Sequence, residues 1–598
     1  MIRRSLRYAE ELSDVVQKRL ALAYRAKDLL GFGLRERLRE GYGAKDFRSD
    51  LLAALVVGVV ALPLSMALAI ACDVPPQYGL YTAIVAGVLC SLLGGTRFQV
   101  TGPTAAFVVI LLPIVHRFGV GGLLVAGMMA GAILLIMGLA RLGKLMELVP
   151  HPVTSGFTMG IALVIGLLQL KDVLGVRLPR TEGTFEYLDA LWAARGAINY
   201  TDVAIGAVTI ALLLGLPKIL RRVPAPLVAL TVVSIGALIV QRLWHLDVTT
   251  IGSKFTYTLG GETGHGIPPL PPLPGIPWHF ADANHPAFAL DYHTIRELLP
   301  SAFAIAMLGA IESLMAAVVA DGMAGTRHDP NSELIALGIA NMICPFFGGI
   351  AATGALARTA TNIRAGARSP FAATMHAIFV LACTIALAGL VSYLPMAALA
   401  ALLIVVARNM SEARHFFRLA RIAPRHDVIV MLTCFGLTVA FDMVIAVTVG
   451  VVLAALLFMR RMSVLTRAEL GTEVALQVPI PAGVRVYQIA GPMFFGAAKS
   501  AMEALHVVGD RDHTYILDMQ RVPVIDATGL VALESVLDRL RRSRVKVIFA
   551  GLAPEVAQVL DRAGIRREAG KLAYAPDVET AISMAIVHAA RIDHPAAA

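Results

Sequence analysis

Long apolar runs broken by glycine, proline and charge set the pattern of this chain. Leu51 to Cys72, Val74 to Thr96 and Phe118 to Ala140 carry no charged side chain. Each is long enough to cross a hydrocarbon core of about 30 Å at about 1.5 Å per residue. The run from Ser369 to Ala407 is long enough for two crossings. Read against the breaks, the pattern predicts helices near 51–72, 78–95, 104–116, 119–140, 151–170, 202–220 and 225–243. A second set is predicted near 297–320, 333–347, 354–365, 370–391, 394–409, 426–441 and 443–460. An odd number of crossings per set inverts the second set in the bilayer. The third segment of each set has about a dozen residues, too few to span. Each opens on a glycine-containing break, Thr101-Gly102-Pro103-Thr104 in one and Thr353-Gly354-Ala355 in the other. Short, interrupted segments at matching positions of two inverted halves point to a central binding site.

Composition agrees with a membrane protein: 57% of residues are hydrophobic and 16% charged, with a mean hydropathy of +0.72, where soluble domains carry about a quarter charged residues. The net charge of +10 does not indicate nucleic acid, because the basic residues concentrate in loops beside the apolar runs. These are the amino-terminal stretch, Arg141 and Lys144, Arg221 and Arg222, and Arg408, Arg414, Arg418, Arg421 and Arg425. Such loops face the cytoplasm and its acidic headgroups. The proline-rich loop from about 244 to 295, with Lys254 as its only Lys or Arg, is placed outside. One segment runs against this orientation: Lys171, Arg177, Arg180 and Arg195 fall outside, accompanied by Asp172, Glu182, Glu186 and Asp189. The first 49 residues hold twelve Lys or Arg. They are expected to be a cytoplasmic extension and not a secretory leader.

Residues 50–462 then form the expected transmembrane domain and 463–483 a linker. A soluble α/β domain spans 484–590, followed by a tail, 591–598. Within the soluble domain, Arg485 to Ala490, Thr514 to Met519 and Lys546 to Ala550 read as strands, and 497–508, 529–542 and 554–563 as helices.

Two half-helix amino termini meeting at the bilayer midplane offer unpaired N–H groups and positive dipole ends, which together suit an anion. Thr101 to Ala105 and Thr353 to Ala357 would supply them. Gly102 and Gly354 let the backbone approach a ligand, and Pro103 fits the first helical position. The hydroxyls of Thr101, Thr104 and Thr353 would add donors for carboxylate, sulfate or bicarbonate alike. Arg358, a turn further on, would complement anionic charge. Glu312, alone in AMLGAIESLMAAVVA, is a protonatable carboxylate, since burial favours its neutral form. Asp442 reads as a turn between helices and His376 as a packed core residue. The cysteines Cys72, Cys90, Cys344, Cys383 and Cys434 lie in apolar segments without metal spacing. The membrane half shows no phosphate-binding loop and no GxSxG. No enzyme, cofactor or metal is expected.

The runs ALPLSMALAIACDVPPQYGLYTAIVAG, TGPTAAF and NSELIALGIANMICPFFGGIAATGALARTATNIRAGARSP resemble the SulP family, the sulfate permease and solute carrier 26 group of anion transporters. The resemblance covers about residues 45 to 590. It implies a polytopic α-helical fold of fourteen segments as two inverted seven-helix repeats, divided into core and gate. It also implies an elevator-like movement and substrate held between the third and tenth helices, with Ser65 and Leu68 of the first helix, Ala105, Ala355, Leu356 and Ala357 lining the site. The family is commonly dimeric. YILDMQRVPVIDATGLVALESVLDRL resembles a STAS domain, where Thr528 matches a phosphorylatable position of small regulatory relatives. In this chain Thr528 reads as a cap for the following helix, and the domain as a docking site for a cytoplasmic protein. The runs MALAIA, PQYGLYTA, TGPTAAFVVIL, AMLGAIESL, NMSEA and FDMVIA resemble the family's enterobacterial C4-dicarboxylate transporters. That branch implies proton-coupled uptake of succinate, fumarate or aspartate across a bacterial inner membrane. Sulfate or bicarbonate is the alternative within the family, and an anion channel or a sensor the alternative outside it. Ala316 stands where sodium-coupled relatives carry a hydroxyl, and Leu64, Ala355 and Ala357 also depart from polar residues found in other members.

Overall fold

The structure, a computed structural model, describes residues 30–593 apart from 147–148, 180, 182, 220–223, 260–261, 281–287, 289, 442, 466, 471–478 and 495–511. Arg180, Glu182, Arg221, Arg222, Asp442, the helix expected at 497–508 and residues 594–598 therefore lie outside the described residues.

Helices occupy all fourteen expected positions. After a short helix α1 (Phe32–Glu40), the first half contains α2 (Ala44–Ala71), α3 (Pro76–Leu93), strand β1 (Thr101–Gly102), α4 (Ala105–Leu139), α5 (His151–Leu168), α6 (Tyr200–Ile219) and α7 (Ala225–Trp244). The run of α4 holds the third and fourth segments, divided at Gly119, whose φ of 69° interrupts the helix. A hairpin, β2 (Thr256–Leu259) and β3 (Glu262–His265), separates the halves. The second half contains α8 (Tyr292–Ala324), α9 (Pro330–Ile343), strand β4 (Thr353–Gly354), α10 (Leu356–Arg364), α11 (Phe371–Ala386), α12 (Met396–Met410), α13 (Ala413–Ile422), α14 (Arg425–Ala440) and α15 (Met443–Leu465). Eight of the described helices are long and apolar enough to cross a membrane.

Two groups of helices separate by packing. α2, α3, α4, α8, α9, α10 and α11 pack on one another, as do α5, α6, α7, α12 and α14. The first group matches the expected core and the second the expected gate. Small side chains let the core helices approach closely: Ala53, Ala61, Ala83, Ala130, Ala302, Ala306, Ala336 and Ala372 are all at 0–1% exposure.

The expected boundary at residue 49 falls inside a helix. α2 begins at Ala44, because Asp46 accepts a hydrogen bond from Gly43 N–H (3.2 Å) and its first charged turns precede the apolar run. Asp50, fully buried, accepts hydrogen bonds from Tyr42 Oη (3.0 Å), the Arg368 N–H (2.6 Å) and the Ser369 hydroxyl. The segment with dissenting charges also holds an additional helix, Thr184–Ala193.

The carboxy-terminal unit contains a five-stranded sheet, β5 (Arg467–Leu470), β6 (Val484–Ala490), β7 (Thr514–Arg521), β8 (Lys546–Ala550) and β9 (Leu572–Ala575), in sequential order. β5 is antiparallel to β6 and the other pairs are parallel. β5 lies within the expected linker, so the domain's sheet starts earlier than 484. α16 (Ala527–Arg542) and α17 (Pro554–Arg562) cover one face, packing Leu533, Leu537 and Leu560 on Tyr515, Leu517 and Phe549. α18 (Val578–Asp593) covers the other, where Ala581, Ile582 and Ala585 meet Val486, Ile516 and Ile548. The alternation of Tyr515, Leu517 and Met519 against Ile516 is the two-residue period of a strand buried on both faces.

Candidate functional site

The two Thr-Gly breaks pair with each other. β1 and β4 run antiparallel, with Thr101 opposite Gly354 and Gly102 opposite Thr353. An inverted repeat brings equivalent dipeptides together in this way. Each strand leads into a half-helix, capped at Thr104 before α4 and at Ala355 before α10. Both cap residues have extended backbone and no side-chain cap bond, so the first-turn N–H groups of both helices point toward the crossing.

Several sequence-predicted donors have protein partners. Ala355 N–H donates to Val100 O (2.9 Å). The Thr353 hydroxyl donates to Gly309 O (2.8 Å) and the Thr104 hydroxyl to Glu312 Oε2 (2.9 Å). These groups brace the crossing and are not free for a ligand, contrary to the expectation from sequence. The Thr101 hydroxyl, 1% exposed, and the Ser65 hydroxyl, 0% exposed, have no hydrogen-bond partner among the described residues. Leu68 is buried beside Ser65 on α2, which packs against α10 and α4. Leu356 and Ala357 are exposed in the first turn of α10, and Ala105 is buried in that of α4. The first turn is therefore open chiefly on the α10 side.

Pro103 is not the first helical residue. It precedes the Thr104 cap, and its carbonyl accepts a hydrogen bond from Arg358 Nη2. Arg358, 3% exposed, leaves Nε and Nη1 without a partner among the described residues. A Cβ on Gly102 would stand 2.7 Å from Arg358 Nη1, so glycine makes room for the guanidinium against the strand. The charges of Arg358 and Glu312 act on one another without a direct ion pair. His376 is fully buried on α11, and neither ring nitrogen has a hydrogen-bond partner among the described residues.

Sequence reasoning missed the polar frame behind the crossing. Glu333, 1% exposed on α9, accepts hydrogen bonds from Gly95 N–H (3.0 Å) and the Thr96 hydroxyl (3.1 Å) on one oxygen. Its other oxygen accepts from Gln99 Nε2 (2.6 Å) and the Ser313 hydroxyl (3.2 Å). Gln99 also reaches Ser313 Oγ at 2.6 Å, and its amide lies against the Gly354 backbone where a Cβ would intrude. α8 thus grips both sides of the first break, through Ser313 before it and Glu312 after it. Thr359 Oγ1 accepts from Val100 N–H (3.1 Å) and Asn362 Nδ2 donates to Phe98 O (2.9 Å), fastening α10 to the same loop.

In the carboxy-terminal unit Asp526 is the cap of α16, accepting from Gly529 N–H at 2.7 Å. Thr528 is exposed in the first turn, so its expected capping role belongs to Asp526.

Comparison with known proteins fits this arrangement. The profile of the sulfate permease family matches residues 47–434 and that of the STAS domain residues 475–581. The chain belongs to the sulfate permease family. It is 38% identical over 535 residues to the putative sulfate transporter YvdB of Bacillus subtilis, covering 89% of this chain and 96% of that protein. It is 29% identical over 543 residues to the bicarbonate transporter BicA of Picosynechococcus, covering 87% and 91%. The structure of SLC26A9 shares the fold at a TM-score of 0.80 and 18% identity, over 98% of this chain and 97% of that one. The transmembrane domain of a cyanobacterial BicA aligns at 0.58 and 26% identity, over 69% and 98%. As a sulfate permease family member with a STAS domain, the chain is a multi-pass anion transporter and not an enzyme.

Proposed function

We propose that this transporter imports C4-dicarboxylates (succinate, fumarate and aspartate) together with protons across a bacterial inner membrane. The observation that carries the coupling is the hydrogen bond between Glu312 and Thr104, the cap of a half-helix. An ionised Glu312 sits at the positive end of that helix and competes for its field with an incoming anion. A proton on Glu312 removes the competing charge, so proton and anion load together. The substrate's carboxylates accept from the first-turn N–H groups of α10 and α4, while Arg358 adds positive charge behind the strands. Core helices then carry the loaded site past the gate in an elevator-like step, and the more alkaline cytoplasm unloads the proton.

The choice of dicarboxylate rests on the MALAIA, TGPTAAFVVIL and AMLGAIESL runs. A second reading, sulfate or bicarbonate, is favoured by what YvdB and BicA are named for. Homodimerisation, a protein partner at the STAS domain and phosphorylation of exposed Thr528 belong to the same proposal. Uptake of labelled succinate into proteoliposomes, with fumarate, sulfate and bicarbonate as competitors, separates the substrates. Competition by fumarate alone supports the dicarboxylate reading, and stronger competition by sulfate or bicarbonate replaces it. Flux that does not saturate or concentrate succinate would indicate a channel.

A further inference from the structure

α13 joins two membrane helices, α12 and α14, and so lies at the membrane face that carries the basic loops. Its sequence, ARHFFRLARI, divides by face. At about 100° per residue, Arg414, Arg418 and Arg421 fall within an arc of about 60°. All three are exposed, as are His415 and the following Arg425. None of these arginines pairs with an acid among the described residues. The only acids from Arg408 to Asp427 are Glu412 and Asp427 themselves.

Packing fixes which way this face points. Phe416, 4% exposed, sits 5.7 Å from the Phe435 ring of α14, and His415 lies 5.4 Å from the His151 ring at the start of α5. The arginine arc is nearly opposite Phe416 and Leu419 and turns away from the protein. Phe417 and Ile422 flank it at 56% and 66% exposure. Exposed apolar flanks beside a basic face are the composition of a helix lying in the bilayer interface. Guanidinium groups one turn apart suit phosphate oxygens, which they bind through paired N–H donors.

We propose that α13 binds the headgroups of anionic phospholipids in the leaflet on the chain's basic side, anchoring the gate group of helices through Arg414, Arg418 and Arg421. The proposal does not depend on which anion is transported. The test uses the full chain in neutral detergent and follows thermal unfolding with dioctanoyl-phosphatidylglycerol, dioctanoyl-phosphatidylcholine or inorganic phosphate at equal ionic strength. Phosphatidylglycerol should raise the unfolding temperature clearly more than either control. The Arg414→Gln/Arg418→Gln/Arg421→Gln variant should lose at least about two-thirds of that gain, and the corresponding triple Lys variant should keep more of it. Arg542→Gln, a substitution in the soluble domain, should leave the gain intact. If the triple Gln variant does not purify, Arg418→Gln alone should give a smaller partial loss. Equal gains in wild type and the Gln variants, or a gain reproduced by phosphatidylcholine or by phosphate, overturn the proposal.

Discussion

Replacing Glu333 by Gln tests whether the frame behind the crossing depends on a carboxylate. Each of its oxygens accepts two hydrogen bonds: Gly95 N–H on one cannot reverse its role, and the Gln99 amide on the other can do so only by a flip that puts its NH2 where its Oε1 now has no partner among the described residues. Whichever way the new amide turns, its NH2 either faces Gly95 N–H or makes Gln99 flip and strand its own NH2, while the Thr96 or Ser313 hydroxyl beside it can rotate to accept. At least one buried donor is orphaned, at a cost of about 1–3 kcal/mol. Glu312→Gln is the comparison, because Glu312 meets a single hydroxyl, that of Thr104, which can reverse its bond. Its cost should stay below about 1 kcal/mol. Cys72, Cys90, Cys344, Cys383 and Cys434 are all free and buried, so a thiol-reactive dye reports unfolding in detergent. Glu333→Gln should unfold at a clearly lower temperature than wild type, with Glu312→Gln close to wild type. The reasoning fails if Glu333→Gln matches wild type or if Glu312→Gln is the less stable of the two.

Three shorter predictions follow from the same geometry. Arg358→Ala should weaken uptake of a dianion more than Arg358→Lys, since Lys keeps the charge but not the fork that reaches Pro103; equal uptake by wild type and both variants would make the guanidinium irrelevant to transport. A chain ending at Met462 should still insert in the membrane, because the helices satisfy their own backbone hydrogen bonds, and its absence from the membrane fraction would show that the two units cannot be separated. Asp526→Ala should raise amide exchange across the first turn of α16 by about fivefold, the loss of about 1 kcal/mol of capping; unchanged exchange would mean that the cap contributes nothing.

Much of the membrane architecture was legible because bilayer crossings demand long uncharged runs, and the two Thr-Gly breaks stood out by interrupting short segments at matching positions. The inversion implied that the two breaks meet, but neither the pairing of Thr101 with Gly354 nor the partners of the hydroxyls followed from it. Thr104 and Glu312 lie 208 residues apart in sequence, and only the packing of α8 on α4 brings them together. Glu333 escaped notice because an acid in the first turn of a helix capped by Asp329 normally faces water and the helix dipole. Its burial comes from the loop 95–99 folding over it, which no local pattern encodes. β5 was hidden for a related reason: Arg467 and Glu469 give it the composition of a linker, and it becomes a strand by pairing with β6.

Labelled succinate uptake into proteoliposomes under an imposed inward proton gradient, wild type beside Glu312→Gln, addresses the coupling of anion and proton at the crossed half-helices. Wild type should concentrate succinate above its external level. Glu312→Gln, fixed in a neutral state, should bind succinate and exchange it for internal succinate, yet fail to accumulate it under the gradient. Accumulation by Glu312→Gln equal to wild type would remove Glu312 as the coupling group, and loss of binding and exchange in a normally inserted variant would place its carboxylate in the substrate site instead.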